Sequence, residues 1–251
     1  MKVVAIIPAR FGSTRLPGKP LLAETGKPLI RHVVENVRRA KLVDAVHVAT
    51  DDERIAEAVR AFGGSAVMTR ADHASGTDRL AEAAETLGLA DRDVIVNVQG
   101  DEPEMKPSYI DRLVRLLTGS GAAMATLAAP LDVAAAEVLS NVKVVLAADG
   151  SAMYFSRARI PFDRDGEGAA RYLLHLGIYA YRKAFLLAFA AMPAGVTERI
   201  EKLEQLRVLE AGHKIIVGVV PSAAPGIDTK EDYEAFVKRH GRTQKPKRGK
   251  K

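Results

Sequence analysis

The sequence contains no cysteine. This absence excludes disulfide bonds and thiolate-bound metals, and it makes the reducing cytoplasm the simplest location to expect. No apolar run approaches the roughly 18 residues that a membrane-spanning helix requires. The first residues enter an apolar strand after a single lysine, without the pattern of a secretory signal. We therefore expect a cytoplasmic protein with no membrane insertion.

Acidic residues are missing from the end of the chain. Residues 238–251 contain eight lysines or arginines and no acid, which leaves 29 cations against 31 acids in the rest, a net charge of −2. The sequence pI of 9.5 therefore reflects the terminal segment. We expect residues 241–251 to be a basic, disordered tail. A solubilising role is favoured over binding to nucleic acid or anionic lipid, because no aromatic residue interleaves the charges.

The rest of the chain predicts one large α/β domain over residues 1–240. Its 47% hydrophobic composition is sufficient for a substantial core. Apolar strands begin at Val3 and Ala45, and amphipathic helices span residues 28–40 and 53–62. Such alternation favours a mostly parallel sheet covered by helices on both faces, with ligands beyond the carboxyl ends of the strands.

The pattern changes after residue 141. A hairpin is expected around the turn at Asp149 and Gly150, followed by a charged loop at residues 156–171. Beyond these, the periodicity predicts a strand at 172–181, a single helix at 197–211, a strand at 215–220 and a final helix capped by Thr229. We take residues 142–195 as a smaller lobe of the same domain.

A loop at residues 8–19, Pro-Ala-Arg-Phe-Gly-Ser-Thr-Arg-Leu-Pro-Gly-Lys, follows the first strand. It brings the cations Arg10, Arg15 and Lys19 to one place. Two glycines and two hydroxyl side chains add possible backbone and side-chain donors: Gly12, Gly18, Ser13 and Thr14. These are the ingredients of a polyphosphate cradle, although an ordinary solvated loop has the same composition. The spacing does not match a P-loop, so no P-loop NTPase is expected.

Carboxylates that could face this loop occur at two places. Asp101 and Glu102 follow a buried strand at 93–98, where Mg²⁺ on a triphosphate would need oxygen ligands. Asp101 is the better candidate, because Glu102 precedes a proline and can equally begin a turn. Asp228 lies beside the cap at Thr229, and by pattern alone it reads as a turn residue.

Two further features have both a functional and an ordinary interpretation. Ser75, Gly76 and Thr77 begin a helix, where small residues leave room for a planar base or an anion but also serve as simple caps. His175 lies on a predicted strand, where a lone histidine is more often a packing residue than a catalyst. The basic loop and the two acids together fit nucleotidyl transfer, in which cations meet the charge that develops on the departing pyrophosphate.

Several motifs resemble those of a known family. They lie at residues 8–20, 69–79, 96–103, 154–157, 175–179 and 204–207. Among them are Ala-Ser-Gly-Thr-Asp-Arg, Val-Gln-Gly-Asp-Glu-Pro and Glu-Gln-Leu-Arg. The chain resembles the 3-deoxy-manno-octulosonate cytidylyltransferases, also called CMP-Kdo synthetases, over nearly its whole length to about residue 233. These enzymes transfer CMP from CTP to the acidic sugar Kdo and release pyrophosphate, for lipopolysaccharide synthesis.

The resemblance implies a three-layer, mixed and mostly parallel sheet of the nucleotide-diphospho-sugar transferase type, a smaller dimerisation subregion and a homodimer. It implies Mg²⁺ as cofactor, bound by Asp101 and Asp228. The implied catalytic residues are Arg10, Arg15, Lys19, Asp101 and Asp228. The implied nucleotide-binding residues are Ala9, Arg10, Ser13, Thr14, Arg15, Lys19, Ser75, Gly76 and Thr77. The implied acceptor-binding residues are Arg79, Gln99, Arg157, His175, Tyr179, Glu204 and Gln205.

Three alternatives compete with this function. Another cytidylyl- or uridylyltransferase would bind the phosphate of a sugar or polyol phosphate, and a close variant would accept 8-amino-Kdo. A module that only senses CTP would bind the nucleotide without releasing pyrophosphate.

Overall fold

The computed structural model describes residues 1–12, 16–168 and 170–241. Within them, one nine-stranded sheet has the main order β3-β2-β1-β4-β8-β5-β9, with β6 and β7 alongside β8. The strands are β1 Val3–Ala9, β2 Ala45–Thr50, β3 Ser65–Met68, β4 Val94–Asn97, β5 Met124–Leu131, β6 Lys143–Leu146, β7 Ala152–Ser156, β8 Tyr172–Arg182 and β9 Ile215–Val219.

The α-helices of the described residues are α1 Leu29–Val37, α2 Glu53–Ala61, α3 Gly76–Thr86, α4 Pro107–Ser120, α5 Val133–Ala136, α6 Lys183–Ala191, α7 Val196–Glu201, α8 Gln205–Glu210 and α9 Lys230–His240. A short 3-10 helix spans Lys19–Leu21. Within the same part of the chain, no helix has both the length and the hydropathy that crossing a membrane would require.

The sheet is mixed, as expected. β1 pairs in parallel with β2 and β4, β2 pairs in parallel with β3, and β5 pairs in parallel with β9. β8 runs antiparallel to both β4 and β5 and so joins the two parallel parts. This arrangement confirms the α/β fold class and brings the carboxyl ends of β1 and β4 to the same edge.

The core lies on both faces of the sheet. In β1, Val3, Ala5 and Ile7 face the side covered by α1, α2 and α4. Val4 and Ile6 face the side covered by α3, α6 and α8. Alternate side chains of a strand point to opposite faces, so an almost uninterrupted apolar strand indicates burial on both. The three layers predicted from the sequence are therefore present.

A helix break corrects one prediction. The single helix expected at 197–211 is wrong, because α7 ends at Lys202, whose backbone is left-handed with φ 55°. α8 begins at Gln205, so Glu204 and Gln205 lie at the start of a second helix instead of within one long helix. β3 and α6 were not anticipated either. The predicted hairpin is confirmed as β6 and β7.

The division of the chain into a main part and a lobe at 142–195 stays a prediction. The lobe's hairpin is continuous with the sheet, because Lys143 of β6 pairs with Leu174 of β8. Apart from Gly241, the predicted tail lies outside the described residues.

Candidate active site

A cavity of about 460 Å³ opens beyond the carboxyl ends of β1 and β4. Three segments that are distant in sequence contribute most of its wall: the end of β1 with the loop that follows, the N-terminus of α3, and the turn after β4. The predicted site residues that line it are Ala9, Arg10, Lys19, Ser75, Gly76, Arg79, Gln99, Asp101 and Asp228. We call this space the first cavity.

Lys19 lies between the two predicted metal-binding acids. Its Nζ is 2.7 Å from Asp101 Oδ2 and 3.9 Å from Asp228 Oδ1, and it donates to the carbonyl oxygen of Ile227 at 2.7 Å. Gly18 gives the chain the left-handed turn, with φ 66°, that leads into the 3-10 helix at Lys19. The predicted meeting of opposite charges at one rim is therefore present for these three side chains.

Asp228 reaches this position through its neighbour Ile227. The backbone N–H of Ile227 donates to the carbonyl oxygen of Asp101 at 2.9 Å. The Ile227 side chain is buried against Leu29 and Phe236, so packing of α9 fixes the same segment. A capping box between Thr229 and Asp232 then starts α9 directly after Asp228. The residue that looked like a turn therefore lies at the cavity wall.

Glu102 adds a third carboxyl group close to these acids. Burial, together with the charges of Asp101 and Asp228, raises the pKa of Glu102 to about 8. Among the described residues, nothing hydrogen-bonds its Oε2 atom, which is buried. Asp101 and Asp228 place two carboxylates within 4 Å of the Lys19 ammonium, and oxygen ligands of this kind are those that a hard divalent cation prefers. The described residues contain no preformed cluster of three or more metal-binding side chains, so a cation held by Asp101 and Asp228 would need further oxygens from substrate or water.

The loop after β1 is only partly described. Arg10 and Gly12 line the first cavity, whereas Ser13, Thr14 and Arg15 lie outside the described residues. The predicted roles of those three residues therefore stay predictions.

The N-terminus of α3 forms a firmly held wall. Ser75 is the N-cap: its Oγ accepts from the Asp78 N–H at 3.2 Å, and the Asp78 carboxylate accepts from the Ser75 N–H at 3.0 Å. Arg79, predicted to bind the acceptor, is buried at the same end of the helix. Its Nη1 donates to Thr69 Oγ1 at 2.5 Å and is 3.4 Å from Asp51 Oδ1. Arg79 thus braces the wall as well as lining the cavity.

A second cavity of about 130 Å³ adjoins the first and shares Gly76 and Gln99 with it. Thr77 donates to Glu204 Oε2 across this space at 2.6 Å. Tyr179, Glu204 and Gln205, which are predicted to bind the acceptor, also line it. The other lining residues are Asn97, Met124, Tyr181 and Phe189.

The second cavity is lined by polar atoms that are buried and, among the described residues, lack hydrogen-bond partners. They are Glu204 Oε1, Gln205 Nε2 and Asn97 Oδ1. Leaving a buried polar atom unpaired is costly, so such atoms indicate a place where a ligand or ordered water completes the hydrogen bonds. The second cavity therefore offers two acceptors and one donor to a polar ligand.

Comparison with known proteins agrees with this geometry. Residues 4–215 match a family model described as cytidylyltransferase. The chain belongs to the cytidylyltransferase family. It is 53% identical to a 3-deoxy-manno-octulosonate cytidylyltransferase of Syntrophobacter fumaroxidans, with 94% of this chain and 96% of the relative covered. The resemblance drawn from the motifs is thereby confirmed.

Two further comparisons refine the relationship. An 8-amino-3,8-dideoxy-manno-octulosonate cytidylyltransferase of Shewanella frigidimarina is 48% identical, with 92% of this chain and 96% of the relative covered. A solved structure of CMP:2-keto-3-deoxy-manno-octonic acid synthetase complexed with CTP superposes with a TM-score of 0.90 at 46% identity, covering 94% of this chain and 97% of the other.

Two residues predicted to contact the acceptor line neither cavity of this cytidylyltransferase. Arg157 donates from Nε to the Glu201 carbonyl at 2.8 Å and from Nη1 to the Leu139 carbonyl at 3.3 Å. His175 lies beside Tyr179, with 5.4 Å between ring centroids, and its Nε2 is 3.0 Å from Thr126 Oγ1. The structure therefore places Arg157 and His175 as residues that support neighbouring segments, and contact with an acceptor stays a prediction for both.

Burial keeps both His175 and Tyr179 uncharged. Burial lowers the pKa of His175 to about 3, so the ring is neutral at physiological pH. Burial, followed by the charges of Glu204 and Glu102, raises the pKa of Tyr179 far above its usual value. Tyr179 thus presents a neutral phenol to the second cavity, backed by a neutral imidazole.

Among the lining residues with hydrogen-bonding side chains, three were not selected from the sequence: His73, Asn97 and Tyr181. His73 lies inside one of the recognised motifs, and its position there was the available signal. Asn97 is the last residue of a strand that is otherwise apolar, and such a buried amide is informative. Nothing in the pattern distinguished Tyr181 from a core aromatic residue.

Proposed function

We propose that this cytidylyltransferase transfers CMP from CTP to 3-deoxy-D-manno-octulosonate, releasing pyrophosphate and giving CMP-Kdo for lipopolysaccharide synthesis. One observation carries the proposal: two cavities of different character adjoin each other and share Gly76 and Gln99. The first combines Arg10 and Lys19 with Asp101 and Asp228, which suits a triphosphate with its cation. The second is small and lined with unpaired polar atoms, which suits a polyhydroxylated acceptor. The relatives named above act on substrates of this kind.

The residues of the first cavity would act through charge. Arg10 and Lys19, with Arg15 from the loop, would bind the phosphates and stabilise the negative charge that grows on the bridging oxygen as pyrophosphate departs. Asp101 and Asp228 would hold Mg²⁺, whose chemistry is to neutralise phosphate oxygens and orient them for in-line displacement. Fixed charges of this kind contribute most when they are already in position before the reaction, and Lys19 is held by two hydrogen bonds.

The second cavity favours an acceptor without a phosphate. Glu204 presents a carboxylate oxygen there, and a phosphate dianion brought beside it would be repelled. Sugar hydroxyls can donate to Glu204 and Asn97 and accept from Gln205. In Kdo the carboxylate is attached to the carbon that bears the reacting hydroxyl, so it would lie at the junction near Gln99. The remaining hydroxyls would then extend into the second cavity.

A second acceptor is supported by the same carboxylate. The buried Oε1 of Glu204 can accept a hydrogen bond from an ammonium group as well as from a hydroxyl. The Shewanella relatives bear the name of an 8-amino sugar cytidylyltransferase. 8-amino-Kdo is therefore the alternative acceptor.

An acceptor panel tests the proposal. The purified chain is incubated with CTP and Mg²⁺ and with Kdo, 8-amino-Kdo or a sugar 1-phosphate, and pyrophosphate release is measured. We expect turnover with Kdo and none with the sugar phosphate. Turnover of the sugar phosphate alone would overturn the acceptor assignment. Binding of CTP without pyrophosphate release from any acceptor would favour a sensor.

Substitution of Asp101 tests the proposed role of this acid in nucleotidyl transfer. Asp101→Asn should lower kcat by about 100-fold or more, because it removes a charge that would hold the cation on the reacting phosphates. Asp91→Asn makes the same change at an exposed position paired with Lys183 and serves as the control. Equal activity in both variants would contradict the role given to Asp101.

We also propose a cytoplasmic homodimer. Large apolar side chains are exposed just before the predicted smaller lobe, within it and on α7: Leu139 at 67%, Phe162 at 74% and Ile200 at 75%, respectively. Arg157 connects two parts of this surface, since it bonds to the carbonyls of Leu139 and Glu201. These bonds hold Leu139 close to the residue after Ile200, and neighbouring exposed apolar groups favour a protein interface.

A further inference from the structure

Glu82 holds the loop that precedes α3. Both of its carboxylate oxygens accept from the Arg70 N–H, at 3.1 and 3.3 Å, and Oε2 also contacts His73 Nε2. Burial of Glu82 opposes ionisation, but the bonds from Arg70 and His73 prevail and lower the pKa of its carboxyl group. An ionised carboxylate therefore fixes both the backbone of this loop and the orientation of one imidazole ring.

The ring of His73 forms part of the first cavity. Its side chain is only 5% exposed, so a ligand that meets it does so largely out of water. The adjoining wall consists of Ala74, Ser75 and Gly76, which are small and uncharged. The charged end of the cavity, around Lys19 and Asp101, is contributed by other segments. Space beside small residues suits a flat neutral ring better than it suits phosphate groups.

The contact with Glu82 determines which ring nitrogen of His73 carries the proton. A carboxylate only accepts hydrogen bonds, so Nε2 must be the N–H donor. In the neutral ring Nδ1 is then a bare acceptor. No donor to Nδ1 occurs in the part of the chain that the structure describes. The neutral form of His73 therefore offers Nδ1 as a pre-oriented acceptor at the first cavity.

We propose that His73 is a specificity-determining residue that reads the nucleotide base, its Nδ1 accepting a hydrogen bond from the exocyclic amino group of cytosine. Uracil has a carbonyl oxygen at the same position, so two acceptors would face each other. The inference rests on the proposed function only in that the pyrimidine of the substrate nucleotide enters the first cavity. A site that hydrogen-bonds an N–H group discriminates strongly against an analogue that lacks it.

The test compares CTP with UTP. His73→Phe keeps a flat ring and removes the acceptor, whereas His73→Asn retains an amide oxygen near the place of Nδ1. kcat/KM is measured for both nucleotides at saturating acceptor. We expect His73→Phe to lower kcat/KM for CTP by about 10- to 100-fold and to leave UTP unchanged or improved, because one hydrogen bond in a desolvated site is lost. His73→Asn should recover part of the preference for CTP.

The control is His47→Phe, which makes the same change in a histidine bonded to Ser65 on β2, away from both cavities. An analogue of CTP whose base lacks the amino group gives an independent readout. It should be a poor substrate for the unmodified chain, and His73→Phe should not lower kcat/KM for this analogue further. If His73→Phe does not fold, His73→Asn and the analogue decide the question.

The outcomes separate the two proposals. If the unmodified chain releases no pyrophosphate from CTP, the proposed function fails. Alternatively, the unmodified chain is active on CTP while the His73 variants lower kcat/KM for CTP and for UTP by the same factor, so that the ratio of the two values is unchanged. In that case His73 does not read the base, and only this inference fails.

Discussion

The ammonium group of Lys19 lies at the centre of the charged end of the first cavity. Lys19 Nζ lies within 4 Å of two carboxylates and also binds the Ile227 carbonyl, so it neutralises part of the charge that would otherwise drive Asp101 and Asp228 apart. Two residues behind the second cavity contribute because they are uncharged. His175 and Tyr179 are held uncharged by burial, so that the wall behind the second cavity carries no charge that would compete with Glu204.

The neutrality of His175 makes stability depend on pH. Its pKa in the folded chain, about 3, lies below its ordinary value of 6.5, so the unfolded chain binds the proton more readily. The contribution to stability is therefore complete above about pH 6.5 and is lost as the pH falls towards 3. We expect this group to cost up to about 1 kcal/mol of unfolding free energy per pH unit across that range.

Urea unfolding at pH 7, 6, 5 and 4 measures this effect. His175→Gln cannot titrate, so its unfolding free energy should fall less steeply with decreasing pH than that of the unmodified chain. His213→Gln, in the exposed turn between α8 and β9, is the control and should retain the original slope. Parallel curves for His175→Gln and the unmodified chain would show that the histidine is not buried in neutral form.

Among the elements, the break between α7 and α8 has the clearest consequence for the site. Lys202 adopts φ 55° and ends α7, after which Glu204 caps α8 and Gln205 is buried at the second cavity. The left-handed conformation costs a residue with a side chain about 1–2 kcal/mol. The bonding of Glu204 to Thr77 shows what the break provides, since a continuous helix would carry Glu204 at a different angle to α3.

Glycine at position 202 should relieve this cost. We expect Lys202→Gly to raise the free energy of unfolding by up to about 1 kcal/mol, since glycine adopts positive φ without a steric penalty. Lys202→Ala removes the same exposed side chain but retains the penalty, so it should give no gain. Thermal unfolding of both variants checks this, and a larger gain from alanine than from glycine would mean that the backbone is not strained there.

At the scale of the whole molecule, large apolar side chains remain exposed in and around the predicted smaller lobe. Both faces of the central sheet are covered by helices, yet Leu139, Phe162 and Ile200 remain open to solvent. Leu139 and Ile200 lie next to the bonds between Arg157 and Glu201, where Ser156 and the Arg157 N–H also donate to the Glu201 carboxylate. A partner that covers these side chains would also fix this network.

Introducing charged residues on the exposed apolar surface tests the proposed homodimer. The double variant Phe162→Glu and Ile200→Glu should shift the chain from dimer to monomer in light scattering coupled to gel filtration, because buried unpaired charges oppose association. Met68→Glu, an equally drastic change on an exposed methionine of β3, should leave the dimer intact. A monomeric unmodified chain at micromolar concentration would contradict the proposal.

The sequence alone determined the alternation of strands and helices, the basic loop that leads to Lys19, the strand-end Asp101 and the cap at Thr229, because each depends on residues close together in the chain. Its motifs also identified the family. Only the tertiary structure decided which distant groups meet. Asp228 joins Asp101 through the packing of Ile227, and Arg157 turns towards backbone carbonyls. The helix break at Lys202 was also missed, since an apolar period continues across it. Local patterns fix elements, whereas contacts between distant segments depend on how the whole core packs.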